Sequence, residues 1–322
     1  MISRRKLMAG AALATFALVA PALHAAQDKP ITIVVGSPAG GTTDALARLI
    51  ARSMGDTLHR TVVVDNRPGA GGNIAAQYVA RSTPDGSTLL MSFTGHTINA
   101  ARYTDLPFDP VKDFTPITMV ARVPSVLVAR KNAPFDTTAG LIDYARRNPG
   151  KLTFAIGAQG SSLHLASEQF KLQTGADIVN VPYKGTNPAL TDLLGGGTVD
   201  LMFASTVNVL PHLKAGMLKF LGVSSKDALP QFPGVPPIGA TVKGFESSAW
   251  FGLFGPAKLP AATTDQLYRA VRIALEDPAY KQRMETEAAT TVNMTPQAFA
   301  QFVRADIQHW ARVIQASGTR VE

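Results

Sequence analysis

From Ile31 onward, short apolar runs alternate with stretches in which apolar residues recur every three or four positions. Ile31–Val35 is an unbroken run with β-branched residues, and Ala45, Leu46, Leu49 and Ile50 then fall on one helical face. Gly36 to Asp44 supplies the turn between them. The order repeats with a strand at Thr61–Val64, a loop at Asn66–Gly72 and a helical face at Ile74, Ala75, Tyr78 and Val79. Pro84-Asp85-Gly86 turns the chain into a strand at Thr88–Met91. This strand, loop, helix rhythm predicts an α/β domain with a largely parallel sheet.

The rhythm restarts near Pro124, after a strand at Ile117–Val120 and its continuation at Ser125–Ala129. A helix at Thr138–Arg147 stops at Asn148-Pro149-Gly150, and the strand Leu152–Ile156 runs through a Gly/Ser loop into a helix carrying Leu163, Ala166 and Phe170. Strands follow at Ile178–Val181, Leu201–Phe203 and Phe220–Val223, with a helix around Leu190–Leu194. Pro230–Pro237 reads as loop and Ala249–Phe254 as a returning strand. The rest is helical, at Thr264–Glu276, Pro278–Glu287 and Pro296–Ser317. The pattern predicts two α/β lobes joined by two crossings, near residues 121–130 and 247–256. Lobe 1 comprises 27–124 and 250–322, and lobe 2 comprises 125–249.

Composition narrows the class. With 322 residues, 46% hydrophobic and 17% charged, the chain can fill real cores and is not disordered. Residues 1–26 have the form of a cleavable signal peptide: basic Arg4, Arg5 and Lys6, an apolar Leu7–Ala20, then Pro21 and small residues, with cleavage fitting after Ala25 or Ala26. Ser3-Arg4-Arg5-Lys6-Leu7 resembles a twin-arginine signal. The formal charge of +8 falls to +5 without that segment, and no basic cluster remains to bind nucleic acid. The absence of cysteine excludes disulfides, thiolate metal sites, a Cys nucleophile and a lipid-anchored N-terminus. A soluble periplasmic monomer is expected.

The chemistry-bearing feature is a pair of loops, Pro38–Asp44 and Gly160–His164, each leading from a strand into a helix. At such junctions free backbone N–H groups and the positive helix end face one space and can hold an anion. One such loop is ordinary turn and cap chemistry; two, in separate lobes and beyond the carboxyl ends of strands, point to a ligand cleft. Gly40, Gly41, Thr42 and Ser162 are candidates there. Thr94 and Gly95, after the third strand, join them because the backbone can be approached there. Asp44 is expected to accept loop N–H bonds and fix the turn. Neither loop contains arginine, so the anion is expected to be held without an arginine clamp. Ser161, Ser162 and His164 lack an orienting third group for nucleophilic catalysis. The histidines show no metal-ligand spacing, and no phosphate-loop, dinucleotide or nucleophile-elbow motif occurs. No enzyme activity, cofactor or metal is expected. Trp250 is read as a packing residue under the hinge.

Several ordered motifs carry a more specific likeness: Pro38-Ala39-Gly40-Gly41-Thr42-Thr43-Asp44, Asn66-Arg67-Pro68-Gly69-Ala70-Gly71-Gly72-Asn73, Pro84-Asp85-Gly86, Gly160-Ser161-Ser162-Leu163-His164-Leu165-Ala166 and Val181-Pro182-Tyr183-Lys184-Gly185. With these the chain resembles Bug-type substrate-binding proteins of tripartite tricarboxylate transporters over its mature length. It departs near Pro236-Pro237-Ile238 and Gly255-Pro256-Ala257, on the hinge side. The resemblance implies a two-lobed periplasmic-binding-protein (Venus-flytrap) fold that holds a small carboxylate between loops of both lobes, often through ordered water, and presents it to membrane permease subunits. By resemblance, Ala39, Gly40, Gly41 and Asp44 belong to the lobe 1 loop, and Ser161, Ser162 and His164 to the lobe 2 loop. Service to a periplasmic sensor kinase, or an exported enzyme acting on carboxylates, are the competing classes.

Overall fold

One long strand organises the molecule. The computed structural model describes residues 29–157 and 159–318, and the signal segment lies outside them. Strand β4 (Phe114–Arg130) pairs with β9 (Ser248–Pro256) along residues 114–124, then with β7 (Leu201–Ser205) and β8 (Leu218–Val223) along 125–130. It thereby runs out of one sheet half and into the other. On the first side β9 continues to β3 (Thr88–Phe93), β1 (Ile31–Val35) and β2 (Val62–Asn66); on the second, β7 continues to β5 (Leu152–Ile156) and β6 (Ile178–Pro182). A two-residue β10 (Thr290–Thr291) lies against β4.

The sheet is parallel only in its outer parts, β1 with β2 and β3, and β5 with β6 and β7. Every pairing of β4 and β9 is antiparallel, which corrects the expectation of a largely parallel sheet. The reason is topological: one strand leaves a lobe and another returns to it, so the two run in opposite directions. The strand expected at 117–120 and its continuation at 125–129 are one strand passing through Pro124, whose missing N–H is tolerated where the pairing changes hands.

Helices cover both faces of each half. In lobe 1, α1 (Thr42–Leu58) buries Leu46, Ala47, Ile50, Ala51 and Met54, a three-and-four spacing, against β1 and against α8 (Ala261–Ala274) and α9 (Pro278–Thr286). The opposite face packs Ala75, Ala76 and Val79 of α2 (Asn73–Ala80) with Phe254, Trp250 and Phe299. In lobe 2, α4 (Thr138–Arg147) and α5 (Ser162–Thr174) cover one face around Phe154, Phe170 and Phe203. The other face carries α6 (Thr186–Gly195) and α7 (Thr206–Lys214). A further helix, α3 (Gly95–Arg102), follows β3 directly where no helix was predicted. α10 (Pro296–Ser317) spans the lobes: Trp310, Val313 and Ile314 pack with Ile98 of α3 and Leu165 of α5.

Buried serines knot the crossings together. Ser125 N and Oγ meet Ser224 Oγ at 2.8 and 3.0 Å, Ser224 N donates to the Ser125 carbonyl, and Ser247 N donates to the Ser224 carbonyl at 3.0 Å. Trp250 is buried, as expected, with its indole N–H donating to Asp306 Oδ2 on α10 at 2.9 Å.

Candidate functional site

The loop between β1 and α1 is shaped by a side chain that follows it. Gly40 takes φ +86°, which a residue with a Cβ adopts only at a cost, and its N–H donates to Asp44 Oδ2 at 2.9 Å. Arg48 Nε donates to the same oxygen at 3.0 Å, and Asn66 Nδ2 donates to Oδ1 at 2.9 Å. Burial alone raises the Asp44 pKa, but the Arg48, Gly40 and Asn66 hydrogen bonds outweigh it and hold the carboxyl below its ordinary range. With Asp44 turned inward, no side chain caps α1, whose N-cap is Gly41. The first-turn amides of α1 are left for another acceptor.

The loop before α5 repeats this geometry with a different residue. Gly160 has φ +74°, and its N–H donates to His164 Nδ1 at 2.9 Å, four residues on as in the first loop. Nδ1 therefore accepts and the ring proton sits on Nε2, which faces Glu168 at 3.5 Å. Burial pushes the Glu168 carboxyl up, yet His164, Lys171 and Asn180 together hold it down at about 2. Ser161 caps α5, its Oγ accepting from His164 N at 3.2 Å.

Between the two loops lies a cavity of about 550 Å³. Gly40, Gly41 and Thr42 line one wall and Ser162 and Leu163 the facing one. Ser205, Val207 and Asn208, at the start of α7, bring a third helix N-terminus, and its N-cap Ser205 makes no side-chain cap bond. Val123, Pro124, Ser125, Ser247, Ala249 and Phe251 form the floor from the two crossing strands. Arg283, Thr286 and Glu287 close the remaining side from the end of α9.

Of the predicted site residues, Gly40, Gly41, Thr42 and Ser162 meet at this cavity. Ala39 is exposed outside it. Asp44, Ser161 and His164 stand behind the loops and set their shape. Thr94 is buried at the start of α3, exchanging hydrogen bonds with the Trp250 backbone. Gly95 sits where a Cβ would come within 2.6 Å of the Phe93 ring and 2.9 Å of the Gly71 carbonyl, so its absence of a side chain serves packing.

Sequence reasoning missed α7 and the end of α9. For α7 a signal existed, because Ala204-Ser205-Thr206 after β7 is a third strand-to-helix junction rich in hydroxyls, although it lacks glycine. For Arg283 and Glu287 there was none, since only the packing of α9 against α1 brings them to the loop. Neither loop contains arginine, yet arginines from other elements stand close to both. Arg283 lines the cavity, and the Arg102 guanidinium of α3 lies against Gly160.

Comparison with known proteins places the chain in a family. Residues 46–319 match the model of the tripartite tricarboxylate transporter family receptor. Protein BugT of Bordetella pertussis is 35% identical over 317 residues, 97% of each chain. The structure of the periplasmic binding protein BugD is similar with a TM-score of 0.73 and 34% identity, over 90% of this chain and 98% of that one. The structure of Rpa4515 of R. palustris with adipate is similar with a TM-score of 0.76 and 36% identity, over 90% and 98%. A sequence with this family match, these relatives and this two-lobed α/β architecture belongs to the tripartite tricarboxylate transporter receptor (Bug-type) family.

Proposed function

We propose that this protein is an extracytoplasmic solute receptor that binds a small carboxylate in the inter-lobe cleft and delivers it to the membrane permease subunits of a tripartite tricarboxylate transporter. The carrying observation is the convergence of three helix N-termini, those of α1, α5 and α7, from both lobes on one cavity. Each end presents unpaired amides and partial positive charge, contributing up to about 2 kcal/mol toward an anion when partly buried. The adipate in the structure of Rpa4515 is an anion of the required kind. Gly40, Gly41, Thr42 and Ser162 contact the carboxylate, while Asp44, Ser161 and His164 hold the contacting loops. The N-terminal segment directs the chain to the periplasm.

A thermal-shift series of mono-, di- and tricarboxylates tests this, each repeated as its primary amide or methyl ester. A ligand at a hundred times its Kd stabilises the folded state by about 2.7 kcal/mol, so a true ligand raises Tm by several degrees and its neutral analogue does not. Hits confined to sugars, amines or peptides would refute the reading. Delivery is tested separately by capture of the permease subunits on the ligand-loaded protein.

A further inference from the structure

The two cleft loops are built alike but held by different chemistry. In each, a glycine in the left-handed region donates its N–H to the side chain four residues on, Gly40 to Asp44 and Gly160 to His164 Nδ1, both at 2.9 Å. Both acceptor side chains are buried. Asp44 stays ionised despite its burial, so it accepts throughout the range around neutral pH. An imidazole accepts through Nδ1 only while it is neutral, and it is the side chain whose ordinary titration falls between pH 5 and 8.

A proton added at Nδ1 sets two donors, Nδ1–H and Gly160 N–H, against each other with no acceptor between them. The bond is lost and Gly160 is free to leave φ +74°. The groups around the ring decide where the imidazolium settles. Glu168 Oε1 lies 3.5 Å from Nε2, and although burial opposes its ionisation, His164, Lys171 and Asn180 keep it charged. Lys171 Nζ of the same helix, at 2.7 Å, and the Asn180 amide of β6 share that oxygen. From lobe 1, the Arg102 guanidinium of α3 lies against Gly160, and its buried Nε–H has no partner among the described residues. The imidazolium is thus drawn toward Glu168 and repelled from the Gly160 side, which favours letting go of the loop. Ser162 and Leu163, which line the cavity, follow Gly160 by two and three positions.

We propose that His164 is a proton-sensitive catch on the lobe 2 loop: the neutral ring holds Gly160 and keeps the cleft ready for a carboxylate, and protonation frees the loop and weakens binding. The lobe 1 loop keeps its hold through the same range, because Asp44 remains ionised. The effect on binding rests on the carboxylate-receptor reading; the release of the loop does not.

Glycine-selective 15N labelling reads the loop with no ligand present. Between about pH 7.5 and 5.5 the Gly160 amide resonance moves with the His164 ring signals and its exchange protection, corrected for the intrinsic rate, falls at least about threefold, while Gly40 holds its position. Isothermal titration with adipate over the same range reads the coupling, with binding at least about threefold weaker at the acid end. His164→Asn offers Gly160 an amide oxygen that does not titrate, so Gly160 stops responding and the pH dependence that remains in binding is that of adipate itself. A Gly160 amide indifferent to pH in the wild type overturns the catch and needs no variant. An adipate profile equally steep in His164→Asn overturns the coupling, as does tighter acid-end binding in the wild type, the mark of an imidazolium that attracts the ligand directly. If neither adipate nor any other carboxylate of the thermal-shift series binds at about pH 7.5, the receptor reading fails and the Gly160 amide alone decides the catch.

Discussion

Asp44 offers the sharpest separation of a loop-shaping role from a ligand-contacting one. Its side chain is 5% exposed, and the carboxylate accepts from Gly40 N, Arg48 and Asn66. Asp44→Ala removes all three acceptor contacts at once. The Arg48 side chain is 54% exposed and rehydrates, so losing this i,i+4 pair costs only about 0.3–0.5 kcal/mol. The acid in the first turn of α1 adds about 0.3–1 kcal/mol through the helix dipole. The larger part comes from the Gly40 and Asn66 donors, at about 1 kcal/mol each. The expected loss is therefore about 2.5–3.5 kcal/mol, or roughly 5–14 °C in Tm at 2–4 °C per kcal/mol. Carboxylate affinity falls with it, because Gly40 is released from its left-handed conformation. The assay is a urea or thermal melt combined with a titration of the strongest ligand. A loss below about 0.5 kcal/mol, or unchanged stability with tighter carboxylate binding, would rule out the loop-shaping role, since the latter is what a carboxylate repelling the ligand would give.

Two further outcomes follow from other sites. Glu168 has its folded pKa depressed to about 2, so its contribution is complete above the ordinary value of 4.5 and disappears as pH falls from there toward 2. Glu168→Gln should cost up to about 3 kcal/mol at neutral pH and flatten the acid limb of the stability curve; melts across pH 2–7 check this, and an unchanged acid limb contradicts it. Lys258 is exposed at φ +63°, so Lys258→Gly should stabilise by about 0.5–1 kcal/mol, read as a small rise in Tm, and a fall would be the wrong sign.

Much of the architecture was legible because it is local. The apolar run of β1, the spacing of α4 and the Pro296 entry of α10 each carry their own signal, and the structure places them at Ile31–Val35, Thr138–Arg147 and Pro296–Ser317 as read. Strand direction is not local. No residue of β4 or β9 reports that its partner runs the other way, and so a parallel sheet was over-assigned. α3 was hidden by Gly95 at its first position, and α7 by its nine-residue length and internal Pro211. At the site, glycine-and-hydroxyl loops identified the cavity walls but not which member of each loop faces in. Asp44 and His164 are alike in spacing from Gly40 and Gly160, and both turn back to grip the loop. The α9 wall was out of reach altogether, because Thr42 and Glu287 are 245 positions apart and only tertiary packing joins them.

The most direct measurement is a crystal structure of the protein with the carboxylate that gives the largest thermal shift. One carboxylate is expected between the lobes, its oxygens within hydrogen-bonding distance, directly or through one water, of Gly40–Thr42 on one side and Ser162–Leu163 on the other. A carboxylate bound to one lobe alone, or held outside this cavity, would contradict it.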